Sequence, residues 1–519
     1  MAAISMRGRG PTILIVLFFL IWGACSEEKK SLPLPEITKR QLAILYFGDF
    51  HGHLTPFTRF YGDAEKSGGF ARLARLIKDI RAKNAAEGVD TLVVSSGDNI
   101  QGTPLSTAFR GEAEIAAFNL LGLDASAIGN HEFDFGADRL LQLIEQAKFP
   151  FLSASIYEFN GPDLIFKPYL KRKMANGLRV GLIGLTTPET PITTHPANVA
   201  AYRFAYPPLS LQRYLPQVQR DTDLVILLSH LGIGDDKTMA NEFPGIGVII
   251  GGHTHTLLAE PLLQNGVLIA HAGDRGLYLG RLDVEVMQGR ARMISHRLIP
   301  IRHGMPEDPE MAALVGSYDR RLSAEIARVV GQSAVFLDGE RESVRTQETN
   351  LGSLIADLIR LQAEADVAVI NSGAIRSSIQ PGPVTLGDVI SALPMDNHVV
   401  RLEVTGEQLL LVLARSIKGR LTCPPGQYFG GFLQVSGLRF GIQNGLLKDV
   451  QVNGAPLVLS KTYRLATNDF LAAGGDGYKE LKEAASYYDT GVTLRDLFVN
   501  FVAKKGVIAT TADGRIRFF

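Results

Sequence analysis

The sequence predicts a layered α/β fold in two units, and three observations carry that prediction. From Leu42 to about Leu298, apolar runs of strand length alternate with helical patterns, as expected where helices are laid on a mostly parallel sheet. Five of those runs lead directly into short polar groups, at the end of the strand where open α/β sheets keep their sites. After the breaker-rich Gly304-Met305-Pro306, one helical face separates this unit from a second α/β unit that begins near Val330.

The N-terminus reads as an address. Arg7 and Arg9 are followed by the apolar run Thr12 to Ile21 and by Gly23-Ala24-Cys25, which is the order of a secretory signal. The run is shorter than the roughly 20 residues a membrane span needs, so residues 1-25 are expected to direct export. Cys25 after Gly-Ala resembles a bacterial lipobox, although Trp22 stands where an aliphatic residue is usual. The chain is thus expected in the bacterial cell envelope, either in the periplasm or held there by a lipidated Cys25, as the lipobox resemblance implies; plain secretion is the alternative. Residues 26-41 then form a polar, proline-bearing tether.

In the first unit, residues 42-303, Phe70, Leu73, Leu76, Ile77 and Ile80 repeat at helical spacing between strand-like runs. Met311, Leu314, Val315, Tyr318, Leu322 and Ile326 continue one face of a connector helix within residues 304-330. The second unit, residues 331-519, contains a helix over 351-363, a strand over 367-370 and Thr405-x-x-Gln408, a capping box that opens another helix.

Composition narrows the chemistry. The 519 residues carry 53 basic and 53 acidic side chains with no long basic run, which argues against a groove for a nucleic-acid polymer, whose affinity would come from clustered Lys and Arg. Two cysteines exclude a disulfide framework or a Cys-rich zinc site. Cys423 is expected to be unpaired and buried, and any metal must be held by N and O donors.

Such donors follow the five strands. Residues 43-47 lead into Gly48-Asp49-Phe50-His51, residues 91-96 into Gly97-Asp98-Asn99, and residues 126-128 into Gly129-Asn130-His131-Glu132-Phe133-Asp134. Residues 224-228 lead into Ser229-His230, and residues 248-250 into Gly251-Gly252-His253-Thr254-His255. Asp49 and His51 are two apart, as are His253 and His255, so each pair is expected to share one face of an extended strand end. One such motif means little; five together predict a site.

The donor set lacks thiolate and suits Zn, Mn, Fe or Co, and it is too large for a single ion. Asp49, His51 and His255 are assigned to one divalent ion, Asn130, His230 and His253 to a second, and Asp98 to a bridge. Ions about 3.5–4 Å apart can activate hydroxide at neutral pH and clamp an in-line displacement at phosphorus. His131 is read as a catalytic acid–base group oriented by Asp134. His53 is read as a rim or structural residue, and His271, His296, His303 and His398 have no partner pattern.

Taken together, these motifs resemble the calcineurin-like metallophosphoesterases. In the second half, Asn350-Leu351-Gly352, Asn371-Ser372-Gly373-Ala374-Ile375-Arg376, Leu393-Pro394 and Phe470-x-x-x-Gly474-Gly475-Asp476-Gly477 resemble the C-terminal domain of the 5′-nucleotidase family, which includes UDP-sugar hydrolases and ecto-5′-nucleotidases. The resemblance runs from about Leu42 to the C-terminus and assigns the same metal ligands and the same His131–Asp134 dyad. It also implies that Arg341, Arg345 and Arg376 contact phosphate or carboxylate-like groups, that Asn371 and Asp476 hold base or ribose, and that Phe470 stacks on the base. Without it, Arg341 and Arg345 read as a solvated face. Met395 departs from the family's usual Phe, which forms the other wall of the base clamp. The resemblance further implies that the connector lets the two units move.

The expected function is hydrolysis of nucleotides by hydroxide attack on phosphorus, as a 5′-nucleotidase, with UDP-sugars or nucleoside di- and triphosphates as further substrates. The alternatives are a 2′,3′-cyclic-nucleotide phosphodiesterase or 3′-nucleotidase, a sulfur-ester hydrolase on the same scaffold, and a lipoprotein that captures nucleotides without turning them over.

Overall fold

The computed structural model describes residues 40–58, 65–287, 290–424 and 427–519. The export signal, Cys25 and most of the tether lie outside the described residues. Among those described, no helix is long and apolar enough to cross a membrane.

The first strand, Arg40–Phe47, begins three residues before the apolar run 43-47 because Arg40, Gln41 and Leu42 already pair with Val286, Glu285 and Val284. It lies inside a six-stranded sheet. On one side Asp90–Ser95, Ala125–Ala127 and Phe151–Leu152 follow in parallel; on the other, Tyr278–Met287 and Arg290–Pro300 are antiparallel. A second six-stranded sheet has Val267–Ala270, Val248–Gly251, Leu224–His230 and Arg179–Thr186 parallel at its centre.

The central strands are apolar on both faces, as strands covered on both sides must be. Leu42, Ile44, Leu92 and Val94 of the first sheet share one core with Leu224, Ile226, Val248 and Ile250 of the second. The opposite faces are covered by helices. Phe70–Ala86, Glu112–Leu121 and Pro309–Ile326 pack on the first sheet, and Pro207–Gln219 and Ile233–Glu242 on the second. The result is four layers, helix–sheet–sheet–helix. The parallel strands of both sheets end on one edge, which is where the polar groups emerge.

The connector helix Pro309–Ile326 is capped by Asp308, which accepts from the Met311 amide at 2.9 Å and pairs with Lys78 Nζ at 2.7 Å. Its buried Met311, Val315, Tyr318 and Leu322 join the core of the first sheet. Beyond it, a five-stranded sheet runs Leu433–Ser436, Val367–Asn371, Thr462–Asn468, His398–Thr405 and Tyr487–Thr493. The helix expected over 351–363 spans Asn350–Gln362, with Thr349 as its cap, and Thr405 and Gln408 form the reciprocal capping box that the sequence announces.

Cys423 is a correction. It is free, as expected, but half-exposed rather than buried, because it ends the helix Gly406–Thr422 and its chain has already left the core.

Phe118 is fully buried, and its ring centroid lies 5.6, 5.7 and 5.2 Å from those of Phe47, Phe50 and Phe70. Phe50 sits between Asp49 and His51, so this aromatic cluster anchors the first polar loop. Phe118→Ala should lower the unfolding free energy by about 3–5 kcal/mol, read from equilibrium denaturation.

Candidate active site

All seven predicted metal ligands converge at the common strand edge, but not by the geometry expected. Asp49 and His51 do not lie on an extended strand end. Their φ angles are 47° and 49°; Asp98 has 52°, His253 76° and His255 57°. Left-handed backbone is uncommon outside glycine, and Asp and His are among the side chains that tolerate it best. Each pair shares a direction because the chain coils back at each residue. Such strain persists only where its surroundings over-determine it, and it clusters at functional sites.

The surroundings are visible. Asp49 N donates to Gly97 O and His51 N to Asp98 O, both at 3.0 Å, so the first two loops stay paired beyond their strands. Glu132 accepts from the amides of Asp98, Asn99 and Gly129 at 2.9, 2.6 and 2.6 Å, tying the second loop to the third. Gly129 is required there, since a Cβ would lie 2.2 Å from Asp98 Oδ1. Each buried carboxylate spends one oxygen on a backbone amide: Asp98 Oδ1 accepts from His131 N, and Asp49 Oδ1 from His253 N, both at 2.9 Å.

The histidines are oriented from behind. Nδ1 of His51 donates to Gln101 O at 3.2 Å, Nδ1 of His230 to Ser96 O at 2.8 Å, and Nδ1 of His255 to Asp274 Oδ2 at 2.9 Å. With those protons fixed, Nε2 of His51 and Nε2 of His255 present lone pairs to the centre, facing one another at 3.1 Å, and His230 Nε2 lies 3.1 Å from Asp98 Oδ2. Acceptors facing acceptors in a buried site call for cations between them. Asp49, His51 and His255 form one group with donor atoms within 4.8 Å of one another, and Asp98, His230 and His253 form another. Asn130 Oδ1 lies 3.1 Å from His253 Nδ1 and so joins the second group. Asp98 Oδ2 is 3.9 Å from His51 Nε2, which puts it between the two groups. The residues therefore fit a pair of divalent ions, with second-sphere acceptors of the kind that orient ligating histidines.

Protonation agrees. Burial, with neighbouring cationic groups, pushes His253 and His255 down to about 3 and His51 well below its ordinary value, leaving the neutral rings that metals need. Burial opposes charge on Asp98, yet His230 and His131 hold it well below the usual carboxylate range. Burial raises Asp49 to about 8. His230, against the burial penalty, is raised to about 10 by Asp98 and Asp49.

His131 Nδ1 lies 2.6 Å from Asp134 Oδ2, and Thr194 Oγ1 donates to Asp134 Oδ1 at 2.7 Å. The His131 Nδ1 proton is thus fixed, and bare Nε2 accepts from Arg376 Nη2 at 3.2 Å. Arg341 Nη1 lies 3.0 Å from His255 Nδ1. Arginines of the second half therefore reach into the first.

Arg341 and Arg345 are not a solvated face. Arg345 is 8% exposed and Arg341 half-buried, because the two halves close over them. Burial, reinforced by their mutual repulsion, holds Arg345 well below its ordinary value and lowers Arg376 to about 10.

A cavity of about 740 Å³ opens from the metal ligands and His131 toward Asn371, Met395, Phe429, Phe470 and Asp476. Asn371 Nδ2 donates to Asp476 Oδ2 at 2.8 Å and Asn371 Oδ1 accepts from Asn468 Nδ2 at 2.9 Å, which fixes both groups. All the predicted substrate residues, Arg341, Arg345, Asn371, Arg376, Phe470 and Asp476, line this one cavity.

Sequence reasoning passed over several residues here. Asp274 follows Gly273 just after the strand Val267–Ala270, the same Gly-Asp signature as at 48–49 and 97–98, so a signal existed. The carbonyls of Ser96 and Gln101 carry no side-chain signal. Phe429 and His195, also on the cavity wall, gave none. His271 and His296 have partners: His271 Nε2 lies 2.7 Å from Asp236 Oδ2, and His296 Nε2 2.8 Å from Tyr46 Oη, both away from the centre.

Comparison with known proteins accords with this arrangement. The calcineurin-like phosphoesterase model matches residues 42–257, and the model of the 5′-nucleotidase C-terminal domain matches residues 329–483. Protein UshA of Escherichia coli strain K12 is 30% identical over 513 residues, spanning 89% of this chain and 91% of that protein. The chain belongs to the 5′-nucleotidase family. A 5′-nucleotidase of Vibrio vulnificus is likewise 30% identical, over 91% of this chain and 92% of its own. The crystal structure of a 5′-nucleotidase precursor from Thermus thermophilus superposes with a TM-score of 0.84 at 31% identity, covering 92% of this chain and 99% of that one. Membership of this family makes the protein a metal-dependent phosphoric ester hydrolase.

The Asp274 carboxylate tests the orientation of the histidines. Asp274→Ala should leave the fold intact and weaken metal binding by about 10–100-fold, measured by metal titration of the apoprotein.

Proposed function

We propose that this 5′-nucleotidase-family enzyme removes phosphate from nucleoside 5′-monophosphates. One observation carries the reading: the two donor groups, the His131–Asp134 pair, three arginines and the Asn371–Asp476–Phe470 group all face a single cavity. Asp49, His51 and His255 would hold one divalent ion, Asn130, His230 and His253 the other, with Asp98 between them; Zn, Mn, Fe and Co all suit these donors. When bound, the ions supply Lewis acidity and offset charge developing at phosphorus.

The chain's own residues do the rest. Arg341, Arg345 and Arg376 present guanidinium forks to phosphate oxygens. When phosphate draws Arg376 away from His131, Nε2 is free to take a proton from solvent and pass it to the leaving 5′ oxygen, while Asp134 on Nδ1 stabilises the imidazolium. Phe470 offers a face to the base, worth about 1–3 kcal/mol. Met395, where a second aromatic wall is usual, contributes only about 0.3–1.5 kcal/mol through its sulfur. Asp476 accepts from ribose hydroxyls. We also infer export through residues 1-25, with Cys25 as the candidate lipid anchor, and a joint between the halves within residues 304-330.

The test is a turnover screen of the soluble protein lacking residues 1-25. Adenosine 5′-monophosphate should be hydrolysed, activity should stop with chelator, and it should return with Mn or Zn. Turnover of 2′,3′-cyclic nucleotides or 3′-monophosphates without 5′-monophosphates would overturn the reading. His131→Ala should keep its metals while kcat falls by about 10²–10⁴-fold.

Burial raises Asp476 to about 6 although Asn371 opposes the shift. Protonation below that value removes the carboxylate acceptor, so KM should rise as pH falls through about 6 and level off above it. Asp476→Asn should raise KM overall and flatten this dependence.

A further inference from the structure

Behind the candidate metal ligands lies a polar cluster that the mechanism does not use. Ser229, Asp236 and His271 are at most 1% exposed, and none of them lines the large cavity. Ser229 Oγ donates to Asp236 Oδ1, and His271 Nε2 donates to Asp236 Oδ2 at 2.7 Å. His271 Nδ1 has no hydrogen-bond partner among the described residues, so the contact with Asp236 is what orients this ring.

The cluster forms one row across the second sheet. Ser229 pairs with Gly251 of the strand Val248–Gly251, and His271 follows Ala270, which pairs with Ile250 on the other side of that strand. Gly251 therefore lies between Ser229 and His271, and the Asp236 carboxylate spans it with one oxygen to each. The span leaves no room for a side chain beneath it: a Cβ at Gly251 would lie 2.1 Å from His271 Nε2 and 2.2 Å from Asp236 Oδ2. A buried polar group is costly unless its hydrogen bonds are made, so the two arms of the carboxylate hold three strand ends at a fixed spacing.

Each of those ends carries part of the site. His230 directly follows Ser229, His253 comes two residues after Gly251, and Asp274, the acceptor for His255 Nδ1, comes three after His271. Side chains alternate along a strand, so Ser229 faces the helix layer while His230 faces the centre. The helix Ile233–Glu242, which presents Asp236, also reaches the ligand loop: the Ile233 amide donates at 3.3 Å to Oγ1 of Thr254, the residue between His253 and His255.

We propose that Asp236 is a positioning residue for the second donor group. Its carboxylate clamps the strand ends that bear His230 and His253, with Ser229 and His271 as the two arms. The role rests on the metal assignment above and belongs to the bridge, so a side chain that keeps both hydrogen bonds keeps the function.

Co(II) is the probe, because its visible bands report the geometry of its ligands. The soluble apoprotein, Asp236→Asn and Asp236→Leu would be titrated with Co(II), with circular dichroism as the check on folding. Asn accepts from His271 through Oδ1 and donates to Ser229 through Nδ2, so Asp236→Asn should bind two ions with the wild-type spectrum. Leu makes neither bond. Asp236→Leu should bind one ion about 10–100-fold more weakly, the scale for lost contacts behind metal ligands, and shift the bands of that ion, which a loss of stability alone would not do. Should Asp236→Leu fail to fold, Ser229→Ala, which removes one arm and little volume, must weaken and shift the same ion, and an unchanged Ser229→Ala then overturns the clamp. Wild-type affinity and spectrum in a folded Asp236→Leu, or an Asp236→Asn as defective as Asp236→Leu, overturns the clamp and leaves the metal assignment standing. A wild-type apoprotein that takes up fewer than two Co(II) ions overturns that assignment and the clamp with it.

Discussion

The site depends on keeping the Asp98 carboxylate ionised where water cannot reach it. Asp98 is 1% exposed, and an isolated buried carboxylate would be driven to its neutral form. Its Oδ1 takes the His131 amide, its Oδ2 faces His230, and the amides of its own loop are held by Glu132. These restraints come from two other strand ends: the loop after Ala125–Ala127 carries both His131 and Glu132, and the strand Leu224–His230 ends in His230. The two six-stranded sheets must therefore be packed in register before the carboxylate has its partners, and the four-layer core makes that packing rigid.

The two halves divide the chemistry. The first supplies every candidate metal ligand and the His131–Asp134 pair; the second supplies three arginines and the groups facing the far end of the cavity. The arginines cross between them, with Arg376 reaching His131 and Arg341 reaching His255. The connector helix is packed into the core of the first half through Met311, Val315, Tyr318 and Leu322.

The site-bearing strands and the polar groups after them were legible because each is a continuous apolar run that ends in residues no core would accept. The seven candidate ligands and the dyad could be read for that reason. The local geometry could not, because two-residue spacing cannot distinguish an extended end from a left-handed coil. The coil at Asp49, His51, Asp98, His253 and His255 is imposed by loops that are remote in sequence. Arg341 and Arg345 looked like surface residues because their burial is created by the other half of the molecule. Asp274 was readable from its Gly-Asp signature, whereas the carbonyls of Ser96 and Gln101 could not be, since backbone acceptors leave no trace in residue type.

The pinned imidazoles have a consequence for how the centre is filled. Because His51, His230 and His255 already hold their Nδ1 protons on fixed acceptors, ions entering the site need not wait for a ring to flip or exchange tautomers. The cage is therefore built before it is filled, and filling it leaves these three rings where they stand.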